Sequence, residues 1–138
     1  MAIDAVYGRQ KELEIKRILP EIYNQKFRDY SRDRFATFDF ISEDKNMILE
    51  LKSRRCKSNT YPTTIVGLNK IEKAKELVKE DKVVKFLFNF TDGLYEWCLS
   101  ENYSIAKGGR TDLPCGTKGW KDYCHIKIDN LHLVKSYA

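Results

Sequence analysis

The chain has 138 residues, 42% hydrophobic and 12% aromatic, enough apolar material for one folded domain over residues 1–138. No run approaches the roughly 18 apolar residues of a membrane span, and the opening MAIDAVYGRQ lacks the basic-then-apolar order of a secretion signal. A net charge of +5 and a pI near 9 suggest a polyanionic partner, and the distribution of that charge says more.

Residues 4–19 read as a helix, because Ile15, Ile18, Leu19 and Ile22 recur at i, i+3, i+4 and i+7. Pro20 is expected to stop or kink it. Residues 24–34 are polar and basic and read as a short helix or loop. Strands are expected over 35–41 and 46–54. After the connection SNTYPTT, Thr63 or Thr64 can cap a helix running to Glu80, with Gly67, Ile71, Ala74 and Val78 turned inward. KVVKFLFNF, residues 82–90, is an apolar strand; Thr91-Asp92-Gly93 turns the chain and LYEWCLS returns. CHIKI and LHLVKSY read as short strands. A helix between strands implies an α/β fold, a mixed β-sheet flanked by helices.

Positive charge is concentrated. KSRRCK, Lys52 to Lys57, holds four basic residues in six, including Arg54, Arg55 and Lys57. The Gly-rich segment Lys107 to Lys121 adds four more, including Arg110, and reads as a mobile loop. Basic patches beside Tyr61, Tyr103, Trp120 and Tyr123 suit nucleic acid, although such rings more often fill cores. The four cysteines, Cys56, Cys98, Cys115 and Cys124, form no CxxC pair and point to an intracellular, cytoplasmic protein with reduced thiols. A zinc site from Cys98, Cys115, Cys124 and His125 would match no common spacing.

The stretch FATFDFISEDKNMILELKSRR, Phe35 to Arg55, raises the chemical question. It reads as a hairpin with charges inside its strands, which cost stability unless something uses them. A turn centred between Asp44 and Lys45 sets Phe40 opposite Leu49 and Asp39 opposite Glu50. One face then carries Phe38, Phe40, Met47, Leu49 and Leu51; the other carries Thr37, Asp39, Glu50, Lys52 and Arg54. Directly opposed carboxylates lie about 4.5–5.5 Å apart at Cβ and repel. A divalent cation between them reverses the sign. Mg²⁺ or Mn²⁺ takes one or two carboxylates plus waters, activates a bound water and polarises a phosphate. Lys52 would orient the nucleophile or offset charge developing on phosphorus. The bland alternative is a solvated strand face.

This order of helix, D…ExK hairpin, helix and strand resembles the PD-(D/E)xK nuclease superfamily, with its restriction-endonuclease-like αβββαβ core. Asp39, Glu50 and Lys52 match the family's D, E and K; Phe38 stands where its proline often does. The match in order spans Gly8 to Phe90. The resemblance implies a magnesium-dependent nuclease acting on DNA, and an endonuclease by preference. It implies a supplementary metal carboxylate on the first helix, Glu12, for which a surface pair with Lys16 is the alternative. It also implies a basic residue on the second helix, Lys70 with Lys73 behind it. Small stand-alone members are frequent in phages, viruses and mobile elements and include junction resolvases. Two readings compete: a non-catalytic nucleic-acid-binding module of the same fold, and a ribonuclease. LHLVKSYA could pair across a homodimer interface.

Overall fold

The computed structural model describes residues 3–30, 38–99, 103–109 and 120–138. Helix α1, Ile3–Tyr23, runs through Pro20 instead of ending before it. Proline removes one bond to the preceding turn, but the apolar stripe continues past it. Ile15 and Leu19 are buried, Ile18 and Ile22 half-buried, and their packing carries the helix one more turn. Within the segment expected as helix or loop lies a short strand, β1, Phe27–Asp29. Its three residues exist as a strand only because they pair with β2, Phe40–Ser42, a long-range contact that local periodicity does not report.

β2 and β3, Met47–Ser53, form the hairpin. Phe40 pairs with Leu49 and Ile41 with Ile48, the register expected from a turn centred at Asp44 and Lys45. Lys45 takes a left-handed conformation, φ 65°, and Asp44 accepts the Asn46 N–H at 3.0 Å, so the turn is tied by its own side chain. β2 starts five residues later than expected, and residues 31–37, Thr37 among them, lie outside the described residues.

The hairpin's apolar face needs one correction. Phe40, Leu49 and Leu51 pack against α1, but Phe38 lies on the opposite face, its ring edge-on to Phe86 at 6.3 Å. The regular alternation breaks at Asp39, whose carboxylate Oδ2 takes the Leu51 N–H at 2.8 Å.

A second correction concerns residues 63–67. Thr63 and Thr64 do not cap a helix; they begin strand β4, Thr63–Gly67. Thr64 and Val66 are buried while Thr63 and Ile65 are half-buried, a period of two that suits β-branched residues. Helix α2, Leu68–Lys79, follows with Gly67 as its N-cap and no side-chain cap bond. Ile71 and Ala74 are buried and Leu77 half-buried, so Val78 turns out to solvent instead of inward.

β5, Val83–Phe90, and β6, Gly93–Cys98, form the second hairpin. β7, Ser104–Gly109, enters the segment expected to be a loop, and β8 covers Trp120–Lys127. Residues 110–119, with Arg110 and Cys115, lie outside the described residues. A 3₁₀ turn, Ile128–Asn130, leads to β9, His132–Ser136.

Six strands form a mixed sheet in the order β1-β2-β3-β5-β6-β9, with β3 and β5 parallel and joined through α2. β4, β8 and β7 form a separate antiparallel sheet. The main sheet buries a core on each face. Ile15, Leu19, Phe40, Leu49, Leu87 and Leu94 fill the α1 side. Phe38, Ile48, Phe86, Phe88, Trp97, Ile71 and Ile126 belong to the larger core between sheet, α2 and the small sheet. This is the expected α/β class, with αβββαβ recovered as α1-β1-β2-β3-α2-β5 and β4 inserted. No helix among the described residues is long and apolar enough to cross a membrane.

Candidate active site

β3 is a central strand, flanked by β2 and β5, and Glu50 lies in its middle at 3% exposure. Phe86 is its neighbour on β5, and the Phe38 ring packs against Phe86. A carboxylate in such surroundings loses its water and must find other partners. Glu50 Oε2 has two, Lys52 Nζ and Lys70 Nζ, each at 3.2 Å. Lys52 comes from the same face of β3 two residues on, and Lys70 from the first turn of α2. Lys70 also stands 5.4 Å from the centre of the Phe38 ring, which holds its stem over apolar surface.

The Glu50 carboxyl also lies within hydrogen-bonding reach of Asp39. Its pKa is pushed up to about 7, first by burial and then by the Asp39 charge; the two lysines pull against this without cancelling it. Asp39 itself sits where β2 leaves the ladder, its N–H donating to the Leu49 carbonyl at 3.1 Å. Asp39 and Glu50 thus approach each other through their side chains, although the paired register itself runs only over Phe40–Leu49 and Ile41–Ile48.

Asp39 opens into a cleft of about 430 Å³ lined also by Tyr7, Gly8, Glu12, Ser53 and Arg55. Glu12 is half-buried there, and its pKa is raised by burial first and then by the charges of Asp39 and Asp29. Glu12 thus shares a cleft and an electrostatic field with Asp39. Among the described residues, however, no three His, Cys, Asp or Glu side chains gather as a metal cage. Lys16 pairs with Asp29 at 3.1 Å, not with Glu12.

The basic residues separate. Arg54 and Arg55 line the cleft, Lys57 lies exposed just beyond it, and Lys73 is exposed on α2, one turn from Lys70. Of the aromatic candidates, Tyr61 is 65% exposed, whereas Tyr103 stands edge-on to Trp97 at 6.0 Å and belongs to the core periphery. Tyr123 is half-buried on β8; the Trp120 side chain lies outside the described residues.

Tyr7 was not singled out by sequence reasoning. Its ring lies 4.4 Å from the Arg55 guanidinium and 5.5 Å from Lys11, so it braces the basic rim of the cleft. The available signal was helical phase: Gly8 and Glu12 stand at i, i+4 on one face of α1, with Tyr7 beside them.

Comparison with known proteins adds two findings. Residues 4–134 match the family described as "Phage putative PDDEXK endonuclease". No curated protein matches the chain.

Proposed function

This chain belongs to the phage PDDEXK endonuclease family, and from that premise we propose that it is a metal-dependent endonuclease cutting DNA phosphodiester bonds, with residues 1–138 as one nuclease domain. The observation that carries the reading is the contact between Asp39 and the buried, raised-pKa Glu50. Two carboxylates in contact, one of them buried on the central strand β3, repel each other and are well suited to a divalent cation.

The residues present fit Mg²⁺ or Mn²⁺. The donors are oxygen only, and two carboxylates with the remaining positions left to water is the common magnesium arrangement. Asp39 and Glu50 would hold the ion, which supplies a bound water of lowered pKa and polarises the phosphate. The protein's own residues do the rest. Lys52 shares Glu50 with Lys70, so its ammonium stands beside that carboxylate without being neutralised one to one. It orients the nucleophile and offsets charge developing on the phosphoryl oxygens. Lys70 keeps Glu50 ionisable and adds a second fixed positive charge. Glu12 acts from the cleft wall, adding negative potential that favours a cation beside Asp39. Arg54, Arg55, Lys57, Lys73 and Arg110 bind the phosphodiester backbone, a contribution that weakens as salt rises.

Covalently closed circular DNA incubated with Mg²⁺, Mn²⁺ or EDTA tests the reading. Nicking or linearisation with either metal, absent in EDTA and in Asp39→Ala, is the expected result. Salt-sensitive binding with no cleavage under any condition would instead establish the non-catalytic module, and cutting confined to RNA would establish the ribonuclease.

A further inference from the structure

A second cleft, of about 300 Å³, adjoins the first. Its walls come from the segment after β3 and from β4, and include Arg54, Lys57, Tyr61, Thr63, Phe90 and Ile128. Arg54 lines both clefts. It lies two residues beyond Lys52, just past the end of β3, with its N–H donating to the Asn89 carbonyl at 2.8 Å.

Three features of this cleft call for a ligand. Arg54 is half-buried and donates from Nη2 to the Ile65 carbonyl at 2.7 Å, yet among the described residues no carboxylate is ion-paired with it. A neutral carbonyl does not offset the charge of a guanidinium, and an anion in the cleft would. Tyr61 is 65% exposed and belongs to neither core cluster, so its ring does no packing work in the free protein. Phe90 and Ile128 add apolar lining, and Thr63 and Lys57 add donors. A cationic group, an apolar lining and an exposed aromatic ring in one cleft of this size are the requirements of a single nucleotide.

We propose that this cleft binds one unpaired or extruded nucleotide of the substrate strand, with its phosphate on Arg54 and its base against Tyr61. The proposal rests on the nuclease reading and sharpens it. A base inside a duplex offers its faces only to its stacked neighbours and cannot enter a slot. The preferred substrates are therefore strands with a nucleotide out of the helix close to the cut: single strands, flaps, gaps or branch points.

The test uses the full chain in EDTA, so that binding is read without cleavage. A single-stranded oligonucleotide carrying one 2-aminopurine should change its fluorescence on binding, through stacking on Tyr61. Tyr61→Ala should weaken single-strand binding about 10-fold, leave blunt-duplex binding within about 2-fold and abolish the fluorescence change. Tyr61→Phe should restore all three. Equal losses on single strand and duplex, or unchanged single-strand affinity in Tyr61→Ala, would overturn the proposal. Its failure is distinct from failure of the nuclease reading: closed circles still cut by the wild-type chain would leave that reading standing, whereas a fluorescence response with no cleavage in Mg²⁺ would leave only the cleft.

Discussion

The main sheet contains two glutamates paired with lysines, and the pairs differ in an instructive way. Glu96 on β6 accepts from Lys85 Nζ at 2.9 Å and from the Tyr23 hydroxyl at 2.8 Å. It joins β5, β6 and α1 at the end of the sheet remote from Asp39, and its side chain is 15% exposed. Glu50 is deeper, at 4%, and is shared by two lysines, but it also touches a second carboxylate. In the Glu96 cluster every charge is met by an opposite charge or a neutral donor, and the raised pKa of Tyr23, due to burial and then to Glu96, follows from a hydroxyl held as a donor. In the Glu50 cluster a like charge has been built in. The first arrangement is a clamp between elements; the second stores repulsion that a cation would relieve.

Removing each carboxylate in turn separates the two clusters most strongly. Glu50→Ala should lower DNA cleavage by at least about 10³-fold, because metal-assisted charge stabilisation is worth several kcal/mol. Glu96→Ala should leave the cleavage rate of the folded protein within a few-fold. Comparable losses in both, measured as initial rates on the same plasmid, would erase the distinction between clamp and site.

The two clusters also differ in how stability depends on pH. Glu50 has a folded pKa of about 7 against about 4.5 when exposed, so the folded state holds the proton more tightly than the unfolded state. Its contribution is fully present below about pH 4.5 and is lost as pH rises through about 7. Chemical denaturation of wild type against Glu50→Gln should therefore show wild type losing at most about 3 kcal/mol relative to the variant between pH 4.5 and 8. Added Mg²⁺ should reduce that loss in wild type alone. A pH-independent difference between the two proteins would contradict the strained-pair account.

The smallest effect belongs to the clamp. Tyr23→Phe removes one hydrogen bond to a charged acceptor and should cost about 1–2 kcal/mol of stability in urea melts, with cleavage unchanged.

Much of this was legible in residues 35–55. Alternation of Phe40, Ile41, Ile48 and Leu49 about a turn at Asp44 and Lys45 specifies the register, and extending it by one residue brings Asp39 towards Glu50. Phe38 was misplaced because alternation assumes a continuous ladder, and nothing in FATFDF reveals that the Asp39 side chain takes the Leu51 N–H. TTIVG carries the β-branched run and period of two of a strand, but a threonine before a helix also reads as a cap, and local sequence does not choose between them. β1 carried no usable local signal at three residues.

By itself, then, the amino-acid order determined the hairpin, its two carboxylates and its neighbouring lysine, because pairing across a tight turn is a local property of the chain. Only the tertiary structure decided that Lys70 reaches the same oxygen as Lys52, that Tyr7 and Glu12 wall the cleft, and that Arg54 divides it from a second one. Those contacts join residues from α1, β3, β4 and α2, whose meeting depends on how two helices and a second sheet pack against the first, and packing is written in no single stretch of sequence.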